Sequence, residues 1–134
     1  MTVVVDASTI VAWLTDAGAR GAWAAGHLNA GDLAAPHIMP AEAASVLRRM
    51  VHADRLSSGL ATLAHADLVR LRAHLYPYEP LSDRIWELRP NVTPYDAWYV
   101  ALAETLGAPL VTMDGRLQRA VGPRCDFEVF PDPA

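Results

Sequence analysis

Four carboxylates, Asp6, Glu42, Asp96 and Asp114, stand where a chain of this pattern could bring them together. Asp6 follows the β-branched run Thr2-Val3-Val4-Val5, and Asp114 comes shortly after Leu110-Val111-Thr112. Apolar runs this short read as buried strands, so both acids lie just past a strand's carboxyl end. Glu42 and Asp96 fall in the first turns of helices announced by Pro40 and Pro94. In a parallel α/β unit each helix starts back from the edge at which a strand ended, so acids distant in sequence can converge there. Two carboxylates about 5 Å apart repel by roughly 3 kcal/mol at an effective dielectric of about 20, so four of them need a cation. An all-oxygen set selects a hard ion, Mg²⁺ or Mn²⁺. Such an ion neutralises the cleft, accepts a phosphate oxygen and lowers the pKa of a water until it attacks as hydroxide.

A blander role competes for each acid, because a carboxylate at a helix N-terminus is favoured by capping and by the helix dipole alone. An ion-pair role fits less well: none of the four has an arginine three or four places away, whereas Asp16 has Arg20, Asp67 has Arg70 and Glu87 has Arg84. Asp96 is the most informative, since Ala97 to Ala103 carry no charge. A carboxylate facing that interior must be paired, protonated or bound to metal.

The other residue types narrow the chemistry. All eleven basic residues are arginine, which removes Schiff-base chemistry and any phosphate-loop lysine. The formal charge is −4, and setting the four carboxylates aside leaves eleven acids against eleven arginines, so the acidity can be local. RNA contact then has to come from a local arginine patch or through a bound cation. Cys125 is the single cysteine and reads as an ordinary half-buried thiol. The histidines (His27, His37, His52, His65, His74) show no ligand-spaced pair beside the acids, so zinc is not expected. Trp13 and the other tryptophans read as core rather than as base-stacking platforms. No apolar run is long enough to span a membrane and no signal-like leader is present, which suggests a soluble cytoplasmic protein.

The elements that must position these groups alternate between strand and helix. After Thr2–Val5 comes a helix from Ala7, then an alanine-rich helix over Ala17–Ala30 and a strand over Leu33–His37. Ala43, Val46, Leu47, Met50 and Val51 recur at helical spacing, which predicts an amphipathic helix to about Asp54. Ser57–His74 reads as helix, and Leu75–Glu79 as a strand confined to a sheet edge by Pro77. A short helix over Leu81–Leu88 precedes the clearest passage, in which Thr93 caps, Pro94 opens and Gly107 stops a helix that is apolar almost all round. Pro109–Thr112 is a strand, a short helix runs through Val121, Phe127–Phe130 is the last strand, and residues 131–134 are a frayed tail. The alternation predicts an α/β fold, a parallel sheet with helices on both faces, built as one domain over residues 1–134.

In order and spacing, Val3-Val4-Val5-Asp6-Ala7-Ser8, Pro40-Ala41-Glu42, Thr93-Pro94-Tyr95-Asp96-Ala97-Trp98-Tyr99-Val100-Ala101-Leu102-Ala103-Glu104 and Leu110-Val111-Thr112-Met113-Asp114-Gly115-Arg116-Leu117 resemble PIN domains, specifically VapC-type toxins of bacterial toxin-antitoxin pairs. The resemblance implies a Mg²⁺- or Mn²⁺-dependent endoribonuclease with a five-stranded parallel sheet in a three-layer sandwich. It also implies homodimerisation and inhibition by a VapB-type antitoxin whose tail occupies the cleft. By position Asp6 and Asp96 resemble the principal metal ligands, Asp114 and Glu42 complete the acidic set, and Thr112 or Ser8 gives hydroxyl support. Some relatives carry a further polar or acidic residue shortly after the position of Asp114, where this chain has Gly115 and Arg116. Arg116 and Arg119 are candidates for contact with RNA phosphate or an acidic antitoxin residue. Phosphotransfer to a strand-ending Asp is disfavoured, since receiver domains rely on lysine and the haloacid dehalogenase-like phosphatases need an Asp where Ser8 stands. A flavodoxin-like nucleotide binder lacks its glycine-rich loop. A degenerate PIN module that only binds would have lost acids, and none is lost.

Overall fold

The computed structural model describes residues 1–131, and the expected frayed tail lies outside these apart from Pro131. Five parallel strands, β1 (Thr2–Val5), β2 (Asp32–Pro36), β3 (Ala73–Tyr76), β4 (Leu110–Thr112) and β5 (Phe127–Val129), form one sheet in the order β3-β2-β1-β4-β5. Val3, Val4 and Val5 are all buried although successive side chains point to opposite faces, so both faces of the central strand are covered. Seven α-helices among the described residues provide the cover. α1 (Ala7–Thr15) packs with α2 (Ala19–Leu28), α3 (Met39–His52) and α4 (Ser58–Arg70), while α6 (Pro94–Leu106) lies across β1, β2 and β4 with α5 (Ser82–Glu87) beside it. The short α7 (Arg116–Arg119) follows β4. None of the described helices is long and apolar enough to cross a membrane.

The chain builds outward from β1 through β2 to β3 and then reverses to place β4 on β1's other side. The reversal opens a crevice between the carboxyl ends of β1 and β4, the place where open parallel sheets bind ligands. Asp6 and Asp114 follow those two strands.

Local chemistry accounts for the helix that closes the crevice. The Thr93 side chain accepts from the Asp96 amide, Pro94 opens α6, and Gly107 ends it in the left-handed region at φ 60°. Ala97 and Tyr99 through Ala103 are buried, as an apolar helix requires. The largest departure from the expected boundaries is at α4, which ends at Arg70, so that His74 belongs to β3, paired with Ala34. The strand therefore starts earlier, and Pro77 follows it instead of interrupting it. β3 is nonetheless an edge strand.

The expected helical ion pairs are only partly formed. Arg84 meets Glu87 at 2.8 Å, but its stronger engagement is with Glu104 on α6, through Nε at 2.7 Å and Nη2 at 3.1 Å. The same guanidinium donates to the Gly122 carbonyl, and Glu104 also accepts from the Arg124 amide. Among the described residues Asp16 and Arg20 do not pair, nor do Asp67 and Arg70. Asp16 instead accepts from the Gly18 amide at 2.7 Å, a local bond that holds its carboxylate in the α1–α2 turn. Arg84→Ala is expected to cost about 2 kcal/mol, because it strips a half-buried Glu104 of a two-pronged partner and frees the Gly122 carbonyl. Urea unfolding should show a lower midpoint at unchanged slope. A midpoint equal to wild type would mean that the network only decorates α5 and α6.

Candidate active site

Asp6 is the most heavily bonded of the four acids. As N-cap of α1 it accepts from the Thr9 amide at 3.0 Å and the Ser8 hydroxyl at 2.7 Å on Oδ1. Its Oδ2 accepts from the Thr112 hydroxyl at 2.5 Å, a bond across from β4. The buried Thr9 hydroxyl lies 3.1 Å from both Asp6 Oδ1 and the Val111 carbonyl. Ser8 and Thr112 are then used twice: Ser8 Oγ accepts from the Met113 amide and Thr112 Oγ1 from the Asp114 amide, each at 3.1 Å. Two hydroxyls thus tie the turn after β1 to the turn after β4. Desolvation nevertheless prevails over these donors and holds the Asp6 carboxyl above the usual aspartate range.

Glu42 projects from the first turn of α3 and accepts from the Tyr99 hydroxyl on α6 at 2.6 Å. Desolvation raises its carboxyl, the Tyr99 bond lowers it, and the charges of Asp96 and Asp6 raise it again. Tyr99 is itself buried, and burial together with Glu42 pushes its phenol well up, so it stays a donor. Asp96 is also raised, chiefly by desolvation, with Thr93 and Arg116 opposing and Asp114 reinforcing. As a residue it is exposed at the cleft mouth, which corrects the expectation that it faces the apolar interior of its helix. Its position at the first turn turns it outward while Ala97 behind it is buried.

Asp114 behaves differently. Its Oδ1 accepts from the Arg116 amide at 2.9 Å and its Oδ2 from Arg116 Nε at 2.8 Å and Nη2 at 2.7 Å. Those bonds, with the charge of Arg119, hold its carboxyl below the usual range. The ion-pair role dismissed from helical spacing is therefore realised here, because in a turn the partner is two residues away.

All four acids line one open cavity of about 510 Å³, together with Ser8, Ser45, Arg49, Tyr95, Tyr99 and Arg116. A second lobe of about 320 Å³ shares Asp6, Asp96, Asp114 and Arg116 and adds Asn91, Thr93, Thr112 and Leu117. Asp6, Asp96 and Asp114 thus stand between two lobes, with Glu42 on the larger one. Convergence stops short of chelation, since among the described residues no three His, Cys, Asp or Glu side chains are placed to hold one ion. A larger concavity of about 720 Å³ near the start of β2 and β3 contains a single acid, Asp32, and no comparable chemistry. Arg119 lies on neither lobe and lines a separate pocket with Asp114.

Sequence reasoning missed Thr9, Tyr99 and Arg49. Thr9 was legible as the third residue after a capping acid, and Tyr99 as the residue one turn after Asp96. Arg49 had no signal, since only the fold of α3 brings it to the cleft.

The PIN domain family model matches residues 3–123. Ribonuclease VapC9 of Mycobacterium tuberculosis strain H37Rv is 42% identical over 130 residues, covering 96% of this chain and 98% of that one. Ribonuclease VapC1 of the same strain is 42% identical over 127 residues, covering 94% and 96%. The crystal structure of VapBC2 from Rickettsia felis, bound to a DNA fragment from their promoter, aligns over 96% of this chain and 98% of that one. Its TM-score is 0.68 at 14% identity, a likeness of fold.

Proposed function

This chain belongs to the PIN-domain family, and on that premise we propose that it is a VapC-type ribonuclease, the toxin of a toxin-antitoxin pair. It hydrolyses RNA phosphodiesters at the four-carboxylate cleft and is held in check by a VapB-type antitoxin. The observation that carries the reading is the meeting of Asp6, Glu42, Asp96 and Asp114 on one cavity at the sheet's reversal point. Residues 1–134 act as one domain, and a homodimer is the working assembly.

In donor chemistry, though not in the resting spacing of the side chains, the set suits a hard divalent cation, Mg²⁺ or Mn²⁺. Three of the four carboxyls are raised by desolvation, Glu42 and Asp96 also by a neighbouring acid, and no described cation pairs with any of the three. Asp6 and Asp96 would be its principal holders, with Asp114 and Glu42 completing the set. When bound, such an ion supplies positive charge to the phosphate and a more acidic water. Ser8 and Thr112 keep the Asp6 carboxylate fixed, and Tyr99 does the same for Glu42. Asp114 joins the set by exchanging Arg116, which is thereby released toward RNA phosphate or an acidic antitoxin residue. Arg49, whose Nη1 donates only to the Ser45 hydroxyl at 3.1 Å, is a further cation facing the cleft.

Purified protein should cleave RNA with added Mn²⁺ or Mg²⁺ and stop with EDTA. Induced expression should arrest bacterial growth with wild type and not with Asp6→Asn. Cleavage that persists in EDTA would overturn the cation's role, and its absence under every metal condition, in a host and assay that respond to a control nuclease, would favour a binding-only module.

The raised carboxyls also predict a pH effect. A group whose pKa is higher in the folded state contributes stability that is complete below its unfolded value and lost as pH rises through its folded value. Asp6, Glu42 and Asp96 should therefore make the metal-free chain less stable from about pH 4 upward, opposed at the acid end by the lowered Asp114 and Glu104. A cation needs the ionised forms, so its stabilisation should grow over the same range. At a hundredfold excess over Kd, Mn²⁺ should raise Tm by roughly 10 °C at pH 7 and by much less at pH 5. An equal rise in Asp96→Asn would place the ion elsewhere.

A further inference from the structure

Beside the carboxylates, and bordering them at Asp114, lies a pocket of about 400 Å³ between α2, α7 and β5. Arg20 from α2 and Arg119 from α7 both line it, together with Gln118 and with Phe130 as an apolar wall. The two arginines come from elements far apart in the chain, and no described carboxylate lies within ion-pair distance of either. Arg20 has a nearby acid in sequence, Asp16, yet that carboxylate serves the Gly18 amide, and the guanidinium of Arg20 sits over the Phe130 ring, 5.2 Å from its centroid. Phe130 is in turn braced edge-on by Trp23, at 5.6 Å between centroids. Arg119 is steered to the same place by a missing side chain: its Nη1 lies 3.0 Å from where a Cβ on Gly115 would stand. Any residue but glycine there would press on that guanidinium. Among the described residues the result is two positive charges against one acid, Asp114, whose carboxylate is already taken by Arg116.

We propose that this pocket is a phosphate subsite that holds the RNA backbone on one flank of the scissile phosphodiester. The proposal rests on the ribonuclease reading and deepens it. Guanidinium forks match phosphate oxygens, and a basic pocket bordering an acidic cleft answers a difficulty of the chain as a whole. A protein of net charge −4 repels a polyanion in general, so its grip must be local and placed where the strand leaves the cleft. A phosphate here lets the strand run from the two-lobed cleft past Asp114 while Arg116 turns to it from the shared border.

The test measures binding of a fluorescein-labelled mixed-sequence single-stranded RNA of about 12 nucleotides to the full chain in Mg²⁺, with Asp96→Asn as background to prevent turnover. Adding Arg20→Gln and Arg119→Gln together should weaken binding about tenfold or more. The slope of log Kd against log salt should fall by about 0.7 for each phosphate that is no longer neutralised. A single neutral methylphosphonate linkage walked along the oligonucleotide should weaken the arginine-bearing protein at one position and have no further effect there in the double variant. Arg20→Lys with Arg119→Lys should restore most of the salt slope. Wild-type slope and affinity in the double variant, with RNA still bound, overturn the subsite and leave the nuclease reading standing. A loss spread evenly over all linkage positions, or one that lysine does not restore, overturns it in favour of a structural role. Full RNA binding with loss only of binding to an acidic peptide assigns the pocket to a protein partner and likewise overturns it. Failure of the parent to bind any RNA, together with failure of the wild type to cleave any, sinks both readings.

Discussion

Asp96→Asn is expected to reduce RNA cleavage roughly a thousandfold, about 4 kcal/mol of transition-state stabilisation, while leaving the protein as stable as wild type or slightly more so. The two halves of this expectation come from different atoms of one residue. The backbone amide of Asp96 donates to the Thr93 side chain and helps start α6, and asparagine keeps that bond. The carboxylate has no described cation within ion-pair distance, lies at the exposed mouth of the cleft and is raised in part by Asp114. Neutralising it removes a repulsion from the resting protein and also removes a donor from the set that would hold the cation. A residue kept for stability would show the reverse pattern, with Tm falling and cleavage following in proportion. The measurement is a pair: initial cleavage rates in saturating Mn²⁺ and thermal melts in EDTA at pH 7. Wild-type rates in Asp96→Asn would end the four-carboxylate reading, whatever the melts show.

The site was legible in the sequence to the degree that local chemistry dictates local structure. Thr93, Pro94 and Gly107 mark the ends of α6 because capping oxygen, missing amide and left-handed backbone each suit one position, and the structure uses them so. Asp6 and Asp114 were placed at strand ends by the apolar runs before them, and the sheet order puts those ends side by side. What could not be read was direction. A first-turn residue on a buried helix can point to the core or the rim, and the charge-free run after Asp96 describes its neighbours, not its own outlook. The Asp114–Arg116 pair escaped because a rule of three or four residues belongs to helices, whereas β4 leaves through a turn. Glu42 had the least support from sequence alone, and its partner explains why. Tyr99 reads as core and is only 3% exposed, yet its hydroxyl reaches across 57 residues to hold that carboxylate. Which of two buried aromatics carries a useful polar end is decided by packing between α3 and α6, which no local pattern records.

At Asp6 the expected results of two substitutions diverge, and the divergence separates chemistry from architecture. Both Asp6→Asn and Asp6→Ala should lose cleavage by about a thousandfold or more. Asparagine retains an oxygen where Oδ1 accepts from the Thr9 amide and the Ser8 hydroxyl, so the cap of α1 survives. Its amide group replaces Oδ2 opposite Thr112, whose hydroxyl already accepts from the Asp114 amide and must now accept again. Removing a desolvated charge offsets that strain, so Asp6→Asn should sit within about 1 kcal/mol of wild type at pH 7. Alanine supplies neither oxygen. It removes the cap, worth about 1 kcal/mol, and leaves the fully buried Thr112 hydroxyl with only the Asp114 carbonyl, 3.4 Å away, as acceptor, a further cost of about 1 kcal/mol. Thr9 escapes that penalty by turning to the Val111 carbonyl. Urea midpoints in EDTA should therefore place alanine about 2 kcal/mol below asparagine, which sits near wild type, with both inactive. Equal stability of the two variants would show that Asp6 does not organise the joint between β1 and β4, and the hydroxyls would need another reason to converge on it. An active Asp6→Asn would show that the charge is not required, and the cation would lose its central holder.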